Sequence, residues 1–211
     1  MTMLQLGNIT AIHGDCMDYM ATLPDNAFDL AVVDPPFGLP SDAVNGRGKL
    51  KNRSLNTMDM AWDVAPGEDY FNELFRVSEN QIIWGGNYFP LPPCRGFVIW
   101  DKEQPWENFS ACEFAWTSFE TPARMFRLAT MKTGETKIHP TQKPVALYKW
   151  LLSKYVKPGF RILDTHGGSF SHAIACHDAG LKLTIIEKDK TYFDAAVSRL
   201  QWHQRQLKIE F

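Results

Sequence analysis

The stretch Asp29-Leu30-Ala31-Val32-Val33-Asp34-Pro35-Pro36-Phe37-Gly38 decides how the chain reads. Phe28 to Val33 is a short apolar run with β-branched residues, the pattern of a strand covered on both faces. Pro35 and Pro36 have no N–H to give to a sheet ladder, so the strand ends there. Gly38 permits a turn that other residues resist. The strand therefore delivers a carboxylate, a stiff extended backbone with free carbonyls and an aromatic ring to its carboxyl end. In open α/β sheets that is the edge where ligands bind.

A planar base with an exocyclic amine suits this arrangement. The base would stack on Phe37, and its amino hydrogens would bond to the Asp34 carboxylate and the Pro35 carbonyl, both acceptors. Positioning and electrostatics would then favour attack by the amine on an electrophile. Asp34-Pro35-Pro36-Phe37 resembles the signature of the amino-methyltransferases of DNA, Asp-Pro-Pro followed by an aromatic. Taken alone, the motif is also a plain strand-to-loop turn with Asp34 as a cap, and the rest of the chain must choose.

The 211 residues set an expectation of one domain, 1–211, with a small insertion region at about 86–131. A 45% hydrophobic content supports a sizeable core. The net charge of −2 does not announce a nucleic-acid binder, so any DNA contact needs a local basic patch. Met1 to Gly7 has neither a basic region nor a long apolar run, and no stretch approaches the ~20 apolar residues of a membrane span. The expectation is a soluble, cytoplasmic protein. Cys16, Cys94, Cys112 and Cys176 lack zinc-type spacing and read as free thiols. Cys94 follows Pro92-Pro93, a faint likeness to the nucleophile of C5-cytosine methyltransferases. The amine-holding motif has no role in that reaction, and nothing nearby marks an activated thiol.

Along the chain, Ile9 to His13 reads as a strand ending at Gly14-Asp15-Cys16, where an acid reaches a cofactor or caps the next helix. Asp18 to Leu23 reads as a short helix. Residues 40–59 hold little apolar material and carry Arg47, Lys49, Lys51 and Arg53 among glycines and asparagines. A basic mobile loop beside Asp34 would suit phosphate contacts and would close over substrate. Pro66 to Asn80 reads as a helix, Gln81 to Trp84 as a buried strand, and Phe97 to Trp100 as another. Glu113 to Ser118 and Arg124 to Leu128 suggest an antiparallel pair around Phe119 to Pro122.

His139-Pro140-Thr141-Gln142-Lys143-Pro144 reads as a helix start, with Thr141 as cap and Pro144 in the first turn. Phe160 to Asp164, the loop Thr165-His166-Gly167-Gly168-Ser169, a helix Phe170 to Ala179 and a strand Lys182 to Ile186 ending in Glu187 form a βαβ unit. Glu187 follows Asp164 at roughly the 20-residue spacing of acids that bind ribose hydroxyls. The loop is not Gly-x-Gly-x-x-Gly, so a cofactor with a cationic, amino-acid-like tail fits better than a pyrophosphate. His166, His172 and His177 read as ordinary polar positions, with no metal expected. Thr191 to Gln206 is a final helix covering the sheet.

The order of these segments resembles the circularly permuted β arrangement of DNA amino-methyltransferases, over most of the chain. The resemblance implies an α/β, seven-stranded, Rossmann-like S-adenosylmethionine-dependent methyltransferase fold, with Asp34, Pro35, Pro36 and Phe37 catalytic. It implies cofactor contacts from Asp15, Cys16, Asp34, His139, Thr141, Gln142, Lys143, Asp164, Thr165, Gly167, Gly168, Ser169, Glu187 and Lys188. In that family the segment at His139 to Pro144 contacts the methionine part, and Asp164 would pair with its ammonium. The family loop reads Asp-Pro-Phe-x-Gly-Ser-Gly, so Thr165, His166 and Phe170 depart from it, and Phe37 stands where Tyr or Trp is commoner. Asp34 implies adenine N6 in double-stranded DNA over cytosine N4, where Ser is commoner. An RNA base methyltransferase and a non-catalytic nucleic-acid-binding relic are the other readings. Dimerisation would widen the footprint on DNA; a restriction partner is unknown from sequence.

Overall fold

The structure is a computed structural model that describes residues 1–38, 63–104, 110–129 and 133–206. Arg47, Lys49, Lys51 and Arg53, with the rest of the expected basic loop, lie outside the described residues. The strand at Asp34 is β3, Leu30–Val33, and all of its residues are buried. Leu30 and Val32 enter one hydrophobic cluster while Ala31 and Val33 enter the other. That alternation explains the unbroken apolar run: successive side chains point to opposite faces, and both are covered.

Around β3 lie β2 (Ile9–His13), β4 (Gln81–Trp84), β8 (Arg161–Asp164) and β9 (Lys182–Glu187). These five strands run parallel in the order β2-β9-β8-β3-β4. The expected seven strands become nine among the described residues. At one edge β1 (Thr2–Leu6) folds back antiparallel on β2 through Gly7, whose φ of +65° is the left-handed geometry of a tight turn. At the other, β6 (Cys112–Thr117) pairs antiparallel with β4 and with β5 (Phe97–Asp101), and β7 (Arg124–Arg127) follows.

The expected antiparallel pairing of Glu113–Ser118 with Arg124–Leu128 is not formed; β7 pairs parallel with β5 instead. After β6 the chain crosses the start of β5. The Phe119 and Thr121 carbonyls pass 2.7 Å from where a Cβ on Gly96 would sit, and the Thr117 hydroxyl donates to the Gly96 carbonyl. Gly96 lets the connection through, and the connection places β7 on the far side.

The helices are α1 (Cys16–Met20), α2 (Glu68–Val77), α3 (Val145–Tyr155), α4 (Ser171–Asp178) and α5 (Lys190–Arg205). Leu147, Leu151, Ala173, Ile174, Phe193 and Leu200, from α3, α4 and α5, pack on one face of the sheet with Trp84 and Trp100. Met20 of α1 and Tyr70, Phe71 and Leu74 of α2 pack on the other. Among the described residues, no helix is long and apolar enough to cross a membrane.

Two helix starts differ from expectation. Pro144 is the N-cap of α3, not a first-turn residue, and Thr141 is exposed with its hydroxyl on His139 Nδ1 at 3.1 Å. The Glu135 carboxylate does the capping, accepting the Val145 N–H at 2.9 Å. Phe170 stands just outside α4 in a left-handed conformation, φ +58° and ψ +26°, and is fully buried. That conformation costs about 1–2 kcal/mol in a residue with a Cβ, less than the roughly 3–5 kcal/mol lost when a buried Phe is truncated. Phe170→Gly should therefore destabilise the protein by about 2–3 kcal/mol despite relieving the strain, read as a lower urea midpoint.

Candidate active site

The carboxyl ends of β2, β9, β8 and β3 share one edge, with His13 in register with Glu187 and Asp164 with Ile185. That edge gathers Asp15, Glu187, Asp164 and Asp34. Like charges so placed repel, and each acid has partners that offset this. Asp15 caps α1 through the Met17 N–H at 2.9 Å and pairs with Lys188 Nζ at 2.8 Å. The Lys188 contact holds its carboxyl below the usual range. Cys16 beside it is pushed up to about 12 by burial and by Asp15, so its thiol is protonated and unreactive. Glu187 accepts the Gly168 N–H at 2.7 Å and the Asp189 N–H at 2.8 Å, and burial raises its pKa.

Asp164 accepts the His166 N–H at 3.1 Å on one oxygen, and its other oxygen lies 3.0 Å from His172 Nδ1. His172 is buried and stacks on Tyr148 at 4.8 Å. Burial disfavours its imidazolium, yet Cys176 and the Asp164 carboxylate hold the proton on, so its pKa lies above the usual value. The departures from the family loop support one another. Thr165 Oγ1 lies 2.6 Å from the Tyr70 hydroxyl and 2.9 Å from His166 Nδ1. Burial lowers His166 to about 4, which leaves a neutral ring at pH 7.

Gly167 is sterically fixed: a Cβ there would sit 2.6 Å from the Phe170 ring and 2.9 Å from Ile185. Ser169 is buried with its hydroxyl 3.1 Å from that of Ser171, and its carbonyl accepts from Arg199 at 2.7 Å. Arg199 in turn reaches Glu135 at 2.7 Å. The segment before α3 therefore meets the glycine loop at both ends. His139 lies 3.7 Å from a Cβ on Gly168 and packs edge-on against Tyr192. Gln142 folds back to accept the Ile138 N–H at 3.1 Å.

Lys143 crosses to Asp34. Its Nζ lies 2.5 Å from Asp34 Oδ2 and 3.0 Å from Glu113 Oε2, and Glu113 also pairs with Lys102 at 2.6 Å. Burial raises the Asp34 pKa to about 6; Lys143 opposes the rise and Glu113 adds to it. Asp34 Oδ1 is buried with no hydrogen-bond partner among the described residues. Pro35 is buried, and the Phe37 ring lies so close to Gly85 that a Cβ there would be 2.2 Å from it. Tyr88, from the 3₁₀ turn Gly86–Tyr88 after β4, stacks on Phe37 at 5.0 Å and 25°.

The structure thus brings Asp15, Cys16, Asp34, Pro35, Phe37, His139, Lys143, Asp164, Thr165, Gly167, Gly168, Ser169, Glu187 and Lys188 to one edge. Thr141 and Gln142 belong to the same segment but face solvent and their own backbone respectively. Sequence reasoning missed Glu113, Lys102, Glu135, Arg199, His172, Tyr70 and Tyr88. The Trp100–Glu113 register that places Glu113 is a long-range pairing with no local signal.

A parallel sheet with acids and a glycine loop at its carboxyl edge is a nucleotide-type fold, and solved structures share it. The chain resembles the M1.HpyAVI–SAM complex with a TM-score of 0.61 and 21% identity, covering 91% of this chain and 98% of that one. It resembles the cytosine-N4-specific PvuII DNA methyltransferase with a TM-score of 0.64 and 14% identity, covering 92% and 87%. Residues 99–198 match the family model for N6/N4 DNA methylases. The type II methyltransferase M.HinfI of Haemophilus influenzae is 26% identical over 91% of this chain and 68% of its own. The putative methylase YubD of Escherichia coli K12 is 25% identical over 93% and 92%. The family-model match and the two relatives together indicate a DNA methyltransferase.

Glu135 ties the α3 start to the glycine loop through Arg199. Glu135→Ala should cost about 2–3 kcal/mol, because it uncaps α3 and strips a half-buried guanidinium of its carboxylate. Thermal unfolding compared with wild type checks this.

Proposed function

We propose that this chain methylates N6 of an adenine flipped out of double-stranded DNA, with S-adenosylmethionine as methyl donor. The observation that carries the reading is Asp34: a buried carboxylate with one oxygen held by Lys143 and the other without a partner among the described residues, immediately before Pro35 and Phe37. An exocyclic amine supplies the N–H that this oxygen lacks, and the Pro35 carbonyl is a second acceptor beside it. A stacked base exposes no such amine at this depth, so the target must leave the duplex.

The donor set fits the cofactor. Acidic oxygens line the edge toward which a sulfonium and an ammonium would turn. Glu187, held among the described residues by backbone N–H groups, keeps lone pairs for ribose hydroxyls. Asp164 would receive the ammonium on oxygens that already accept from His166 and lie against His172. Asp15, Cys16, Lys188, His139 and the loop Thr165 to Ser169 would complete the cradle. S-adenosylmethionine, when bound, supplies a methyl group on a positively charged sulfur. The chain's part is to hold the amine with its lone pair free, to keep Asp34 ionised and to exclude water. Arg47, Lys49, Lys51 and Arg53 would take DNA phosphates.

Asp at position 34 favours adenine. The likeness to the cytosine-N4-specific PvuII enzyme favours cytosine N4 as the second reading. Transfer of labelled methyl to unmethylated duplex DNA, followed by nucleoside mass analysis, separates the two. N6-methyldeoxyadenosine is expected; N4-methyldeoxycytidine would overturn the base. Asp34→Ala should abolish transfer while S-adenosylmethionine still binds by calorimetry, and retained activity would overturn the role of Asp34.

The pH dependence follows from burial of Asp34, whose pKa lies at about 6. Its acceptor role needs the ionised form. Transfer should be level above neutral pH and fall about tenfold per unit below pH 6, read from kcat against pH.

A further inference from the structure

The charge chain at Asp34 does not stop at Lys143. Glu113 of β6 bridges Lys143 Nζ at 3.0 Å and Lys102 Nζ at 2.6 Å, and Lys102 follows β5. Lys143 is 3% exposed, and its ammonium also lies 5.2 Å from the Trp84 ring and 5.8 Å from the Phe37 ring. Its surroundings are thus two carboxylates and two aromatic faces. Asp34 is left with one oxygen engaged and one oxygen, Oδ1, buried and open.

Resting on the amine-methylation reading above, we propose that Glu113 and Lys102 are positioning residues for the transfer. Glu113 holds the Lys143 ammonium on Asp34 Oδ2, so that Oδ1 alone presents to the target amine, and Lys102 holds Glu113 in place. Neither residue touches the reacting atoms. Without Glu113 the ammonium would be free to straddle both Asp34 oxygens and compete with the incoming amine. Without Lys102 the Glu113 carboxylate would pull Lys143 away from Asp34.

The charges facing Asp34 are Lys143, Glu113 and Asp164, with the hydroxyls of Tyr70 and Tyr148 in their reach. Glu113 and Lys143 act on Asp34 with opposite sign. Glu113→Gln keeps the shape and an acceptor while removing a negative charge, so the Asp34 titration should move down by about 1 unit. Lys143→Met removes the compensating cation, so it should move up. Opposite shifts check that both charges face Asp34; a fall in kcat with cofactor affinity unchanged is what separates positioning from a merely structural role.

The test is carbon-13 NMR titration of the Asp34 carboxyl in wild type, Glu113→Gln, Lys102→Met and Lys143→Met, beside kcat on duplex DNA and calorimetric binding of S-adenosylmethionine. Glu113→Gln is expected to lower plateau kcat about tenfold or more, with cofactor affinity unchanged within about threefold. Lys102→Met, further from Asp34, is expected to lower kcat less, and Lys102→Arg to restore it; this pair decides the matter if Glu113→Gln does not fold. An active wild type with Glu113→Gln and Lys102→Met indistinguishable from it in kcat, whatever the titration does, would overturn the proposal. A wild type that methylates no amine would overturn the assigned reaction, and the positioning roles with it.

Discussion

An ammonium buried between two carboxylates is the constraint on which the site rests. Taking an ion out of water costs several kcal/mol, and only close, well-made contacts offset it. Lys143 has them: Asp34 at 2.5 Å, Glu113 at 3.0 Å and two aromatic faces. Burial acts to strip its proton, but the two carboxylates outweigh burial and raise its pKa. The same ammonium joins the end of β3, the strand β6 and the segment before α3. Removing any one partner leaves a charge stranded in the interior, so these segments are bound to one geometry.

The rest of the carboxyl edge follows the same rule. Acids at the ends of adjacent parallel strands are an unstable arrangement unless each is answered. Asp15 is answered by Lys188, Asp164 by His172 and Asp34 by Lys143, while Glu187 is held by backbone N–H groups. The edge is therefore rich in oxygen acceptors yet close to neutral. The strand ends supply the acids, and the intervening loops and helices supply the answers.

What the sequence made legible was local. β2, β3, β4, β8 and β9 came from apolar runs bounded by Pro, Gly and acids, and β2 and β4 match to the residue. Asp34, Asp164 and Glu187 were visible because a strand end and a turn fix each one's place. What was hidden depends on contacts between distant segments. The Thr141 cap was a sound local reading, overridden because Glu135 arrives from upstream. The β6–β7 pairing was a sound hairpin reading, overridden because the chain passes over Gly96. Phe170 was read into the helix because no local rule puts a buried Phe in a left-handed conformation. Glu113 and Lys102 had no signal, since a cross-strand register decides what they meet.

The distribution of that charge chain along the polypeptide bears on how the motif travels between proteins. Asp34 lies outside the segment 99–198 that matches the methylase family, whereas Lys102, Glu113 and Lys143 lie inside it. A recombination that carried Asp-Pro-Pro-Phe alone into a new scaffold would deliver an acid without the Lys143 ammonium that here opposes the rise of its pKa on burial. The smallest transplantable unit is discontinuous: the end of β3, the β5–β6 ladder and the approach to α3 must move together for the ion pairs to survive.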